Sequence, residues 1–320
     1  PWYYLPVWRD FPQFWEYGAR TNQYLCSDGA AFRKNQTCLT IYSEKHDPTQ
    51  ERSAKEIARF SERDADQWLK IWGLWKSDVF QRVQIDMIFN PAEFRAAPEI
   101  MERQMAVYGE LVQAGIAPDS LLLAASQIRA ARELWESPEL QYCIVRFALT
   151  SVMDVNDPGT GAESIGITAT LPTLGFAEGG THQIAHAAHQ ILVRSGCRFF
   201  THSDVDKVII KNGTAKGIRL TDGTEVGARK LVVSTLNPQQ LCFDLIGREY
   251  LDYRTTRRIE LLESSFACYM DYIFAMHDAP SYDAAGFNPD INQCFWLGLA
   301  EDSDPERVAR ECHYRRLGLW

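Results

Sequence analysis

Residues 179–238 read GGTHQIAHAAHQILVRSGCRFFTHSDVDKVIIKNGTAKGIRLTDGTEVGARKLVVSTLNP, and their periodicity changes several times within that short span. Gly179-Gly180-Thr181 opens a helix reaching about Val193, and Gly196 stands just past its end, where glycine accepts the left-handed conformation that closes helices. Cys197 to Phe200 reads as a strand, followed by Val205 to Ile210, where Val and Ile dominate. Asn212-Gly213 is the two-residue reversal that joins antiparallel strands, and Lys216 to Leu220 is the partner. Asp222-Gly223 turns the chain again before Val226. Arg229 to Ser234 then reads as a short apolar strand, and Asn237 can cap a helix with Pro238 at its first position. Helix, strand, small meander, strand and helix in this order predict an α/β unit.

Upstream, the sequence is of another kind. Trp2, Tyr3, Tyr4, Trp8, Phe11, Phe14 and Trp15 form an aromatic run ahead of a hairpin expected around Ser27-Asp28-Gly29. Such a run suits either aromatic core packing or the wall of an apolar cavity. Helical spacing begins at Thr49 and carries Ile57, Phe60, Trp68, Leu69, Trp72 and Trp75. Further helices are expected over Pro98 to Ala114, Ser120 to Trp135 and Pro138 to Thr150, separated by Gly115-Ile116-Ala117-Pro118 and Ser137-Pro138. The loop from Asp157 to Gly161 marks the boundary before the next unit.

At 320 residues, with 46% hydrophobic and 23% charged side chains, the chain has the make-up of a globular protein with room for more than one core. A net charge of −9 argues against a nucleic-acid surface, which needs clustered Lys and Arg. The cysteines are scattered without a CxxC pair, so buried reduced thiols are expected rather than zinc or a disulfide framework. No apolar run approaches the roughly 20 residues of a membrane span, so a cytoplasmic protein or one held at a membrane surface is expected.

The ordered set Gly179-Gly180, helix, Ser195-Gly196, a strand with Val205, Gly217-Ile218-Arg219-Leu220, Asp222-Gly223 and Val232-Val233-Ser234 resembles the second cofactor-binding segment of phytoene-desaturase-like flavoproteins. The run from Phe60 to Trp68 is similar, more loosely, to a helical stretch of that family. The resemblance implies an FAD/NAD(P)-binding flavoprotein fold of the α/β class, with a discontinuous FAD-binding domain and a helical, mixed-sheet substrate domain. Residues 1–170 would be mainly substrate domain and 171–238 the second FAD segment. Residues 239–320 would return to the substrate domain, with Phe266 to Phe274 as a strand. It further implies that the Val205 backbone holds the adenine, with Ser234 and Thr235 at a neighbouring strand end. Gly179 and Gly180 would let the backbone approach the flavin side of FAD. A strand end can do the first of these because it offers one N–H and one C=O in fixed geometry.

The family's strand-GxGxxG-helix, which receives the pyrophosphate, has no counterpart in these residues, nor has its C-terminal flavin contact. The chain is therefore expected to be an interior piece, inactive and weak in FAD binding by itself. His182, His186 and His189 share a helix face, but the apolar residues centre about 115° around the helix from them and no further ligand is evident, so no metal is expected. No GxSxG elbow is present, and Asp64/Asp66 and Glu301/Asp302 read as solvated or helix-start charges rather than a catalytic pair. No catalytic side chain can be named. Flavin carries redox chemistry largely by itself, so none is required. The expected activity is FAD-dependent oxidation or desaturation of an apolar, isoprenoid- or carotenoid-like small molecule. The alternatives are amine-oxidase-like or carotenoid-isomerase-like chemistry, or a non-catalytic subunit that keeps the fold without FAD.

Overall fold

The computed structural model describes residues 11–89, 97–151, 153–262 and 272–319. Trp2, Tyr3, Tyr4 and Trp8 of the aromatic run, and residues 266–271 of the expected strand, lie outside these. Tyr272 to Phe274 are exposed and form no strand.

The principal elements, in chain order, are β1 (Thr21–Asn22), β2 (Cys26–Phe32), β3 (Thr37–Tyr42), α1 (Glu51–Ala58), α2 (Glu62–Lys76), α3 (Asp78–Phe89), α4 (Pro98–Gln113), α5 (Gln127–Leu134), α6 (Pro138–Thr150), α7 (Glu163–Thr170), β4 (Phe176–Ala177), α8 (His182–Arg194), β5 (Val205–Lys211), β6 (Thr214–Leu220), β7 (Glu225–Gly227), α9 (Tyr253–Glu260), β8 (Cys294–Ala300) and α10 (Pro305–Arg316). The protein is mixed α/β with three small sheets, ordered β1-β4, β3-β2-β8 and β5-β6-β7. It divides into two compact units, Pro1–Leu192 with Phe266–Trp320, and Val193–Ser265.

In the first unit the central strand β2 pairs antiparallel with β3 and parallel with β8, which brings a late segment of the chain against an early one. One side of this sheet packs against the helices. Trp68, Trp75 and Trp135 are almost fully buried there with Phe32, Leu39 and Ile41, and each such side chain contributes on the order of 1.5–3 kcal/mol by leaving water. Two of the indole N–H groups in this region are met locally: Trp68 Nε1 donates to Gln50 Oε1 at 3.2 Å and Trp72 Nε1 to Pro48 O at 2.9 Å. Helix starts follow their sequence signals. Ser61 Oγ accepts from Asp64 N at 3.1 Å, and α4, α6 and α10 carry proline in their first turn.

Three expectations change in this unit. The hairpin exists, but Ser27, Asp28 and Gly29 lie inside β2 and the chain reverses at Arg33 to Gln36. Gly29 serves close packing rather than a turn: a Cβ there would lie 2.9 Å from both Cys294 Sγ and Leu39 O. The helix expected over Ser120 to Trp135 is split into a 3₁₀ turn, Ser120–Leu123, and α5. The loop at Gly159 to Gly161 takes the carbonyls of Ala124 and Ala125 with its own N–H groups, so the helical ladder cannot continue through them. Asp64 is not a solvated charge. It is fully buried, and its carboxylate accepts from Glu136 N, Ser137 N and Ser137 Oγ at 2.8, 2.8 and 2.6 Å, tying the start of α2 to the α5–α6 junction.

The second unit is the three-stranded meander that the sequence predicts. Asn212 and Gly213 both take positive φ, 50° and 70°, in the β5–β6 turn, and Asp222 Oδ1 accepts from Thr224 N at 2.8 Å in the β6–β7 turn. Asn237 Oδ1 accepts from Gln239 N at 2.8 Å and starts a helical segment, but its body, Gln240–Ile246, is a π-helix. Cys197 to Phe200 and Leu231 to Ser234 are not strands, although their composition favours β structure. β-Propensity expresses itself only where a neighbouring strand takes the backbone groups, and no described strand lies alongside either segment. Phe200, Leu231 and Val233 are consequently exposed.

Candidate functional site: an uncharged aromatic pocket

The short pair β1–β4 sets Asn22 opposite Phe176 and Thr21 opposite Ala177. Glu178 N donates to Arg20 O at 3.0 Å and Asn22 Nδ2 to Glu178 Oε1 at 2.8 Å, so the chain leaving β4 is held on both sides as it enters Gly179-Gly180. There it turns with φ of 77° and 89°, values that cost glycine little and other residues about 1–2 kcal/mol. Gly180 N closes the turn on Ala177 O at 3.0 Å, and α8 begins two residues later. A Cβ on Gly180 would meet nothing within 4 Å, so the backbone faces open space.

That space is a pocket of about 840 Å³ within the first unit. On one side Tyr24, Phe176 and Phe295 form an aromatic cluster: Tyr24 and Phe295 are nearly parallel, 13° apart with centroids at 5.9 Å, and Phe176, tilted 40° and 34° against them, lies 4.8 Å from Tyr24 and 6.2 Å from Phe295. Ile291, Cys294 and Leu297 supply more of the wall, and Asn292 and Gln293 its polar groups. Among the described residues that line it there is no Asp, Glu, Lys, Arg or His. A smaller neighbouring cavity of about 450 Å³ shares Tyr282 but carries Arg33, Asp283 and Glu301, so the two differ sharply in charge.

The helix-facing side of the same sheet holds a buried ion pair. Arg146 Nη2 donates to Asp28 Oδ1 at 2.5 Å, with side-chain accessibilities of 10% and 0%. Burial pushes the Asp28 carboxyl above its usual value, and the adjacent guanidinium opposes that rise. Gly298 makes room for the arginine, since a Cβ there would lie 2.7 Å from Arg146 Cδ and Nε. The pair fixes the central strand to α6 and thereby the register that carries Cys294 and Phe295 into the pocket.

Of the residues that the family resemblance singles out, Gly179 and Gly180 line the pocket together. Val205, Ser234 and Thr235 belong to the second unit. Val205 is half-buried at the start of β5, opposite Leu220, while Ser234 and Thr235 are exposed, and Ser234 Oγ accepts from Leu236 N at 3.2 Å. The rings of His182 and His186 stack at 6.1 Å, and His186 Nε2 is 2.9 Å from Gln190 Nε2. Among the described residues no group of three or more His, Cys, Asp or Glu side chains is placed to hold a metal. No described helix is long and apolar enough to cross a membrane.

Tyr24, Phe176, Phe295 and Cys294 escape sequence reasoning because they are brought together by β1–β4 and β2–β8 pairing across 270 or so residues of chain. The apolar run Cys294-Phe295-Trp296-Leu297 was a strand signal of its own. Arg146 was also visible, as a charge set among the apolar residues Cys143, Ile144, Val145 and Phe147.

No family model matches the chain. A stretch of 57 residues is 32% identical to 4,4'-diapophytoene desaturase (4,4'-diapolycopene-forming) from Methylomonas sp. The match covers 18% of this chain and 11% of that protein. It is a partial likeness, and it points to an oxidoreductase of the carotenoid desaturase kind.

Proposed function

We propose that the protein is an FAD-dependent oxidoreductase of the phytoene-desaturase-like type, acting on a neutral, apolar, isoprenoid-like substrate in the pocket beside Gly179-Gly180. The observation that carries this reading is the wall itself: a cluster of three aromatic rings, two of them nearly parallel and the third tilted against both, with aliphatic neighbours and no ionisable carboxylate or amine. A pocket of about 840 Å³ is of the size that takes a cofactor ring or a drug-sized ligand. An ammonium substrate or a polycarboxylate would find no counter-charge there, and burying it unpaired is costly, so a neutral hydrocarbon is favoured over an amine.

The residues fit a flat cofactor at one side of this cavity. Gly179 and Gly180 present backbone without side chains, and a Cβ at Gly180 would project freely instead of packing. FAD, when bound, supplies the two-electron acceptor that the side chains lack. Tyr24, Phe176 and Phe295 would exclude water and align an extended substrate by ring contact. In the second unit the Val205 backbone is the proposed adenine contact, with Ser234 and Thr235 nearby in the family arrangement.

The test is flavin content of the protein expressed with its flanking coding sequence. It should purify yellow, or turn yellow with added FAD, and anaerobic addition of an apolar isoprenoid should bleach the flavin band. Gly180→Val should weaken both. A colourless protein that refuses added FAD would overturn the proposal.

A further inference from the structure

Cys26 opens β2, Cys294 opens β8, and the two are direct partners in the parallel pairing. Their thiols are near enough to influence each other. Cys26 Sγ also reaches Asp290 O at 3.5 Å, and Cys294 Sγ reaches Asp28 O at 3.7 Å. Room for the second sulfur is built in, because any side chain at Gly29 would collide with it. Neighbouring strands run about 4.8 Å apart, inside the roughly 4.4–6.8 Å separation of Cα atoms that a disulfide spans. Cys26 is completely buried, whereas Cys294 lines the pocket. The pair is thus a reachable thiol backed by one that only its neighbour can reach.

We propose that Cys26 and Cys294 form a redox-active dithiol at the pocket wall, oxidised by a peroxide that enters through the cavity. The Cys294 thiol attacks hydrogen peroxide, giving a sulfenic acid and one water. The Cys26 sulfur then displaces the hydroxyl from the Cys294 sulfur, forming the disulfide and a second water. Two thiols lose two hydrogens and one peroxide is reduced to two waters. A small-molecule thiol such as glutathione reverses the bond by exchange, releasing its own disulfide. The contact with Cys26 and burial hold the Cys294 thiol above its ordinary value, so the reactive thiolate is scarce near neutral pH and the oxidation, slow there, runs faster as pH rises. The bond would cross-link the first and last thirds of the first unit at the pocket wall. Neither step requires FAD in the pocket.

The experiment is peptide mapping of the whole chain after brief exposure to hydrogen peroxide and alkylation under denaturing conditions. A peptide containing Cys26 is expected to be joined to one containing Cys294, lighter by two hydrogens and separable by dithiothreitol. In Cys26→Ser, Cys294 should stop as a sulfenic acid that dimedone traps. In Cys294→Ser, Cys26 should remain a thiol, since it has no route to solvent. Recovery of both cysteines as alkylated thiols in the peroxide-treated wild type would overturn the proposal, as would oxidation of Cys26 undiminished by Cys294→Ser. The wild-type map decides the matter even if a variant fails to fold.

Discussion

Asp28→Asn tests the buried ion pair that holds the sheet to α6. The substitution preserves shape but removes the charge opposite Arg146, whose guanidinium keeps its proton and is only 10% accessible. An arginine left buried without its carboxylate loses charge compensation that water cannot replace, which costs about 3–5 kcal/mol. The exposed pair Arg63–Glu136, at 3.0 Å with accessibilities of 61% and 51%, provides the contrast. Glu136→Gln should cost far less, because water and salt screen an exposed charge. Urea unfolding followed by tryptophan fluorescence is the assay, because Trp15, Trp68, Trp72, Trp75, Trp135 and Trp296 all lie in the first unit and residues 193–265 contain no tryptophan. With a slope of about 2–3 kcal/mol per molar urea, Asp28→Asn should lower the midpoint by roughly 1–2 M. The double variant Asp28→Leu/Arg146→Met removes both charges and should recover much of the loss. The reasoning is refuted if Asp28→Asn costs no more than Glu136→Gln, or if the double variant is as unstable as the single one.

Two further outcomes are expected. Gly217→Ala places a Cβ 2.2 Å from Val226 O in the β6–β7 pairing, so hydrogen exchange of β5–β7 amides should quicken as the meander loses about 1–3 kcal/mol; unchanged protection would contradict the close approach. Burial raises the Asp154 carboxyl, but the Asn156 backbone amide and Arg316 outweigh it and hold it below its ordinary 3.8. A lowered folded value contributes stability that is present above 3.8 and is lost as pH falls through the folded value. Arg316→Gln should therefore flatten the acid limb of a plot of urea midpoint against pH, and superimposable limbs for variant and wild type would rule this out.

The second unit was largely legible in the sequence. Asn212-Gly213 and Asp222-Gly223 act through the backbone conformations they permit, and Gly196 and Asn237 close and open helices by local rules, so these signals need no distant partner. The helices of the first unit were legible for the same reason, through spacing and through breaks such as Ser137-Pro138. The reading failed where one residue type has two uses. Asp28-Gly29 looks like a turn and is a strand interior, because Arg146 compensates the charge and Cys294 needs the space. Asp64 reads as a solvated or helix-start charge, and it does stand in the first turn of α2, but buried, because Glu136 and Ser137 supply its donors. Cys197 to Phe200 and Leu231 to Ser234 look like strands and have no ladder to join.

The sequence by itself determined the local turns, the helix limits and the ordered pattern around Gly179 and Val205 that resembles a flavoprotein segment, since each rests on conformational preferences of neighbouring residues. Only the tertiary structure decided the pocket. Its rings come from Tyr24, Phe176 and Phe295, its dithiol from Cys26 and Cys294, and its lack of charge from what strand pairing places along the wall. Such long-range pairings are chosen by the packing of the whole unit, and no spacing along the chain encodes them.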